Sequence, residues 1–168
     1  MSDCKDYQIP ADREDSFKFK DISLYMPRMA KAKTMFVGDK KSNVAICTSW
    51  DDPELVLTDE IIEKVAIAAP IRSTYGVNIL LANLALNPQI DKLIFLRGGE
   101  FDETETGSLP RKIINNLWKN GIDEKGKIIG TELSLLPELF EDGGTIIKEI
   151  TRTVEIIDFE GKDEKGLK

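Results

Sequence analysis

The 168-residue chain contains no histidine. That absence excludes Ser-His-Asp and Cys-His nucleophilic chemistry, histidine-ligated zinc and imidazole general bases. Cysteine is nearly missing as well: Cys4 and Cys47 alone build neither a zinc site nor a disulfide framework. Cys47 lies near the end of an apolar strand-like run and reads as a small buried side chain. A nucleophile there would need a base, and acid–base work is left to carboxylates, lysines, tyrosines and Cys47 itself. No apolar stretch reaches the roughly 18 residues of a membrane-spanning helix. The first residues lack the basic start and apolar run of a secretion signal, so a cytoplasmic location without a membrane partner is expected.

What is present fits a soluble globular protein. Hydrophobic residues make up 41% and charged residues 32% of the chain, enough for one domain with a sizeable core. The formal net charge of −7 would repel phosphate backbones over most of the surface, which argues against nucleic acid. Lys31, Lys33, Lys40 and Lys41 cluster, but as a solvated edge rather than a basic footprint. Residues 1–30 read as an amino-terminal arm, residues 31–160 as the domain and residues 161–168 as a solvated tail.

Hydrophobic period and turn residues place the elements. Residues 17–20 alternate like a half-exposed strand, and residues 34–37 and 44–48 read as two strands around a turn-rich loop. Thr58 can cap a short helix over residues 59–65, with Asp59 and Glu60 at its positive end. Residues 66–70 either end that helix or form a short extended run. Residues 75–87 are apolar nearly all round, as suits a helix covering a sheet. Ser73 or Thr74 can cap it, and Asn87-Pro88 stops it. Residues 93–96 are continuously apolar, like a central parallel strand.

A helix-like run opening at Pro110 closes at Asn120-Gly121 and places Ile113, Ile114, Leu117 and Trp118 on one face. Trp118 is therefore expected in the core rather than as a stacking platform. Arg111 and Lys112, with Lys125 and Lys127, mark a solvated helix face and turn. A short strand at 127–130, a broken apolar segment at 133–140, a helix at 145–152 and a strand at 154–159 complete the pattern. Strand alternating with helix from residue 44 onward implies an α/β fold, its mostly parallel sheet carrying helices on its faces. Right-handed crossovers would bring the ligand-facing loops to one edge.

Residues 98–108 are the candidate site, since they join the carboxyl end of a strand to the start of a helix. Gly98 and Gly99 permit close backbone approach. Thr104, Thr106 and Ser108 supply hydroxyls, and Ser108 or Leu109 begins the helix, whose first amides attract polar acceptors. Glu100, Asp102, Glu103 and Glu105 make phosphate binding unfavourable there, and no lysine follows the glycines as in a P-loop. The carboxylates could ligate magnesium or calcium, but without the spacing of a calcium motif they read as an exposed acidic loop, so no metal site is assigned.

An ordered set of short matches between residues 37 and 159 carries a family resemblance. It runs through Val37-Gly38-Asp39, Val44 to Thr48, Gly76 to Asn83, Asn87 to Ile90 and Leu93 to Leu96 into Gly98-Gly99-Glu100. It continues through Thr106-Gly107, Asn120 to Asp123, Gly126 to Gly130 and Val154 to Asp158. The chain resembles the corrinoid-carrying subunit of tetrahydromethanopterin S-methyltransferase, a methyl-transfer complex. The resemblance implies a Rossmann-like single domain with helices on both faces, binding a cobalamin-type corrinoid at the strand-end loops. It also implies a methyl carrier of one-carbon metabolism, with no turnover of its own and other methyltransferase subunits as partners.

The same resemblance implies the roles of individual residues. Gly98 and Gly99 allow the cofactor close, Glu100 orients the loop or accepts a hydrogen bond, and Thr106, Gly107 and Ser108 meet the cofactor's polar edge. Leu135, Leu136 and Pro137 wall the other side. The family's cobalt-ligating histidine is replaced by Thr104, a poor neutral ligand for cobalt. No counterpart of the family's carboxyl-terminal membrane anchor is expected here. Three readings follow: a corrinoid held with water, Thr104 or the cofactor's own base below the cobalt; a pterin or other planar one-carbon cofactor in its place; or an interaction subunit that binds no small molecule.

Overall fold

Alternation along the strands divides the apolar residues into two layers. The computed structural model describes residues 16–19, 22–25, 35–49, 51–71, 73–96, 105–135, 137–140 and 143–159. Within the expected arm, β1 (Ser16–Phe19) and β2 (Ile22–Tyr25) pair antiparallel, with Phe19 opposite Ile22. β2 lies against helix α3 (Tyr75–Leu86).

The main sheet contains β3 (Phe36–Val37), β4 (Val44–Cys47), β5 (Ile67–Ala69), β6 (Lys92–Leu96) and β7 (Glu155–Phe159), in the order β3-β5-β4-β6-β7. β4 pairs parallel with β5 and with β6, and β6 pairs parallel with β7; in this sheet β3 alone is antiparallel, to β5. The mostly parallel α/β sheet expected from the strand–helix alternation is thus present. The two strands around the turn-rich loop, β3 and β4, are not neighbours, because β5 separates them. Gly38 explains the arrangement. Its N–H donates to Ala66 O at 3.1 Å, and a Cβ there would run into the Ile62 and Val65 carbonyls. The undecided stretch at 66–70 resolves into β5.

The helices are α1 (Pro53–Val56), α2 (Asp59–Lys64), α3, α4 (Glu105–Asn120) and α5 (Thr145–Thr153). Thr58 caps α2, its Oγ1 accepting from Ile61 N at 3.3 Å. Ser73 rather than Thr74 supplies the side-chain cap of α3, with Gly76 N donating to its Oγ at 3.2 Å. In the larger core cluster Ala45, Cys47, Ile67, Leu93 and Phe95 pack with Val77, Leu81, Ile114, Leu117, Ile147 and Ile150. In the smaller one their strand neighbours Ile46, Ala68 and Leu96 pack with Leu57 and Val65. The period-2 pleat produces that split. Cys47 is buried, as its position predicts.

Two sequence expectations are corrected. α4 opens at Glu105, so Pro110 lies inside the helix. Pro110 is the sixth helical residue, beyond the first four N–H groups that lack intrahelical partners, so α4 forgoes one i→i−4 hydrogen bond there. Residues 127–130 form no strand, only the isolated bridges Ile122–Ile128 and Lys127–Ser134. Gly126, at φ 84°, turns that segment back after α4. Residues 133–140 end in a 3₁₀ turn over Pro137–Leu139. Among the described residues no helix is long and apolar enough to cross a membrane.

Candidate functional site at the carboxyl edge of the sheet

The strand order creates a division at the centre of the sheet. From β4 the chain passes through α1 and α2 to β5 on one side; from β5 it passes through α3 to β6 on the other side of β4. The segments leaving the carboxyl ends of β4 and β6 therefore diverge. In open α/β sheets the crevice at that point is where ligands are held. Register aligns Cys47, Phe95 and Asp158 in one cross-strand row at this edge.

β4 leaves the sheet through Thr48 and Ser49, both buried. Thr48 N donates to Ala69 O at 3.0 Å and Ile71 N donates to Ser49 O at 2.7 Å, fixing the exit against the end of β5. The Thr48 hydroxyl donates to the Asp51 carbonyl. Ser49 has φ 61°, and it is the one non-glycine with positive φ among the described residues. That conformation costs an L-residue roughly 1–2 kcal/mol. Its Oγ is also buried with no hydrogen-bond partner. A strained residue with an unsatisfied hydroxyl at a switch point makes Ser49 a candidate for ligand contact.

The second wall is the start of α4. Ser108, Arg111, Ile114 and Leu117 follow one another at three-residue steps and all are buried. This corrects the reading of Arg111 as part of a solvated face: the residue is 9% exposed. Its Nε stands 3.8 Å from Asp158 Oδ2, an ion-pair distance too long for a hydrogen bond. Its Nη1 is buried without a partner. At the far end of α4, half-buried Trp118 donates from Nε1 to Val154 O at 2.9 Å, just before β7 begins. α4 therefore runs from the carboxyl edge to the amino edge, and only its first turns belong to the site. Trp118 packs against the larger core, as expected.

The expected site residues are placed as follows. Gly98, Gly99, Glu100, Thr104 and Leu136 lie outside the described residues, as do Asp102 and Glu103. Thr106 and Gly107 are in the first turns of α4 rather than in a loop, and Ser108 is buried one turn before Arg111. Leu135 belongs to the larger core cluster, its N–H bonded to Gly126 O at 2.8 Å, and Pro137, itself exposed, opens the 3₁₀ turn that ends at buried Leu139. Ser49 and Arg111 were not among the candidates. For Arg111 the signal was available: it lies three and seven residues before Ile114 and Trp118, on their stripe. For Ser49 the only signal was a hydroxyl residue just beyond an apolar strand.

A hydroxyl, a guanidinium and a carboxylate at one edge suit the holding of a polar ligand better than the activation of a nucleophile. Among the described residues no group of three or more His, Cys, Asp or Glu side chains could hold a metal ion. No protein-family model and no curated protein matches the chain.

Proposed function

We propose that this chain is a cofactor-binding α/β protein of Rossmann-like build, and that its ligand sits in the crevice between the carboxyl ends of β4 and β6. The observation that carries the reading is the strand order itself, with β4 as the point where the connections diverge. The two core clusters support helices on both faces, α1 and α2 on one and α3 to α5 on the other. The unsatisfied Ser49 hydroxyl supports a polar ligand edge at the same place.

For the ligand we propose a corrinoid of the cobalamin type, which would make the protein a methyl carrier of one-carbon metabolism that works with separate methyltransferase subunits. The residues present fit such a group in part. Ser49 and Arg111 offer hydrogen-bonding groups to a cofactor's amide-rich rim, and by the resemblance Gly98, Gly99, Glu100, Thr106 and Ser108 would be its other neighbours. They offer no imidazole; of the side chains the resemblance would bring to the metal, Thr104 would be the one to hold it, failing which water or the cofactor's own base would. A bound corrinoid would supply the metal that carries the methyl group; the chain's part is to bind, orient and shield it.

Hydroxocobalamin mixed with the purified protein and passed through gel filtration should elute with it as a pink complex. A colourless protein peak with no thermal shift would discard the corrinoid. Thr104→His should then move the cobalamin spectrum towards histidine ligation, and an unchanged spectrum would show that Thr104 does not face the cobalt. One observation favours a second reading, a pterin-like one-carbon cofactor: the unpartnered nitrogen of Arg111 suits the carboxylates such molecules carry. A tetrahydrofolate analogue that raises the melting temperature where hydroxocobalamin does not would select it.

A further inference from the structure

We propose that Arg111 is an anion-binding residue, holding a carboxylate or phosphate group of the ligand at the carboxyl edge even though the acidic residues 100–105 disfavour phosphate at the loop itself. The inference deepens the reading of that edge as the ligand site and does not depend on which cofactor fills it. A guanidinium carries five N–H donors in a rigid fork and never loses its charge. Here the fork is held in the buried stripe of α4, 9% exposed, with its Nη1 unpartnered. Its ion-pair contact among the described residues, Asp158 Oδ2 at 3.8 Å from Nε, is too distant to satisfy even that nitrogen by a hydrogen bond.

A cation placed for stability alone would be either solvated or closely paired, because an uncompensated buried charge destabilises the fold. Arg111 is neither. Asp158, whose side chain is 36% exposed, places the pair near solvent at the end of β7, where a ligand group can reach it. Its carboxylate steadies the Nε side of the fork, while the unpartnered nitrogen lies on the other branch. Two oxygens of one anionic group match such a fork in a way that water or a neutral amide does not. Ser49, whose buried hydroxyl is also unsatisfied, follows β4, two positions from β7 in the sheet.

The test uses the full-length protein, with pyrophosphate as the phosphate probe and glutarate as the carboxylate probe, in thermal melts at low ionic strength. With a dissociation constant near 1 mM, about 10 mM of the preferred anion should raise the melting temperature by about 3 °C, and chloride at equal ionic strength should not. Arg111→Met keeps the aliphatic packing and removes the charge. It should abolish the anion-dependent shift while leaving the anion-free protein as stable as the wild type or more so. A residue serving only the Asp158 pair would give the reverse, a lower melting temperature.

No shift with either anion, or a wild-type shift in Arg111→Met, overturns the proposal. Asp158→Asn is the second variant, should the first not fold. With less negative charge beside Arg111, it should bind the preferred anion several-fold more tightly, and equal or weaker binding overturns the proposal. The hydroxocobalamin experiment fails independently. Anion binding without a pink complex keeps the subsite and removes the corrinoid; a pink complex without anion binding does the opposite.

Discussion

The two edges of the sheet are finished differently. At the amino edge, Asn43 O accepts from Asp91 N at 2.9 Å and Lys92 N at 3.1 Å, while Asn43 Nδ2 donates to Asp91 Oδ1 at 2.7 Å. Asp91 O then accepts from Glu155 N at 2.8 Å, and Lys92 Nζ lies 3.8 Å and 4.0 Å from the Asp91 and Glu155 carboxylates. Three strands are tied there by groups the chain itself supplies. At the carboxyl edge the chain leaves Ser49 Oγ and Arg111 Nη1 buried and unsatisfied, and holds Ser49 in a strained backbone conformation. Unsatisfied polar groups are tolerated in native proteins where function uses them, so the contrast makes the carboxyl edge the candidate site without reference to any relative.

The largest effect should come from damage to the core beneath the carboxyl edge. Phe95, fully buried in β6, lies in the row that joins Cys47 to Asp158. Phe95→Ala should cost about 3–5 kcal/mol in denaturant unfolding, and a loss below about 1 kcal/mol would mean that the row is not packed as described. The next two variants separate the edges by sign. Ser49→Ala removes an unsatisfied hydroxyl and should raise stability by about 1 kcal/mol, or about 2–4 °C in melting temperature, while weakening whatever ligand the edge binds. Asn43→Ala removes a satisfied bond to Asp91 and should lower stability by about 1 kcal/mol, leaving ligand binding untouched. Destabilisation by both would erase the distinction between the edges.

The sequence exposes the fold unevenly. α3, α4 and β6 are legible because long runs of apolar residues at a fixed period leave few alternatives. β3 and β5 are too short to declare a partner, and their adjacency depends on the close approach at Gly38, which no periodicity encodes. Pro110 misplaces the start of α4, since a proline tolerated inside a helix looks the same in sequence as one at its first position. The strand-end region after β6 is legible as a place. Its charged member is not, because Arg111 reads as solvent-facing by residue type while its spacing from Ile114 places it inside. Ser49 is invisible for another reason: backbone φ and an unmade hydrogen bond are properties of the folded chain.

The smallest effect comes from a group that is the converse of Arg111. In the segment after α4 the carboxylate of Asp123 accepts from Lys127 N at 3.0 Å and Lys125 N at 2.8 Å, donors the chain itself provides. The N–H of Lys127 first, then that of Lys125, holds its carboxyl below the ordinary aspartate range. A depressed folded-state pKa means that the contribution to stability is complete above the unfolded value, about 3.9, and is lost as pH falls through the folded one. Asp123→Asn keeps an oxygen acceptor and removes the charge, so at neutral pH it should lower the melting temperature by no more than about 1 °C. Between about pH 4 and 2 the two melting curves should converge. A gap that stays constant, or widens in acid, would show that the carboxylate is not what these two amides hold. It would also weaken the contrast with Arg111, whose Nη1 has no acceptor among the described residues.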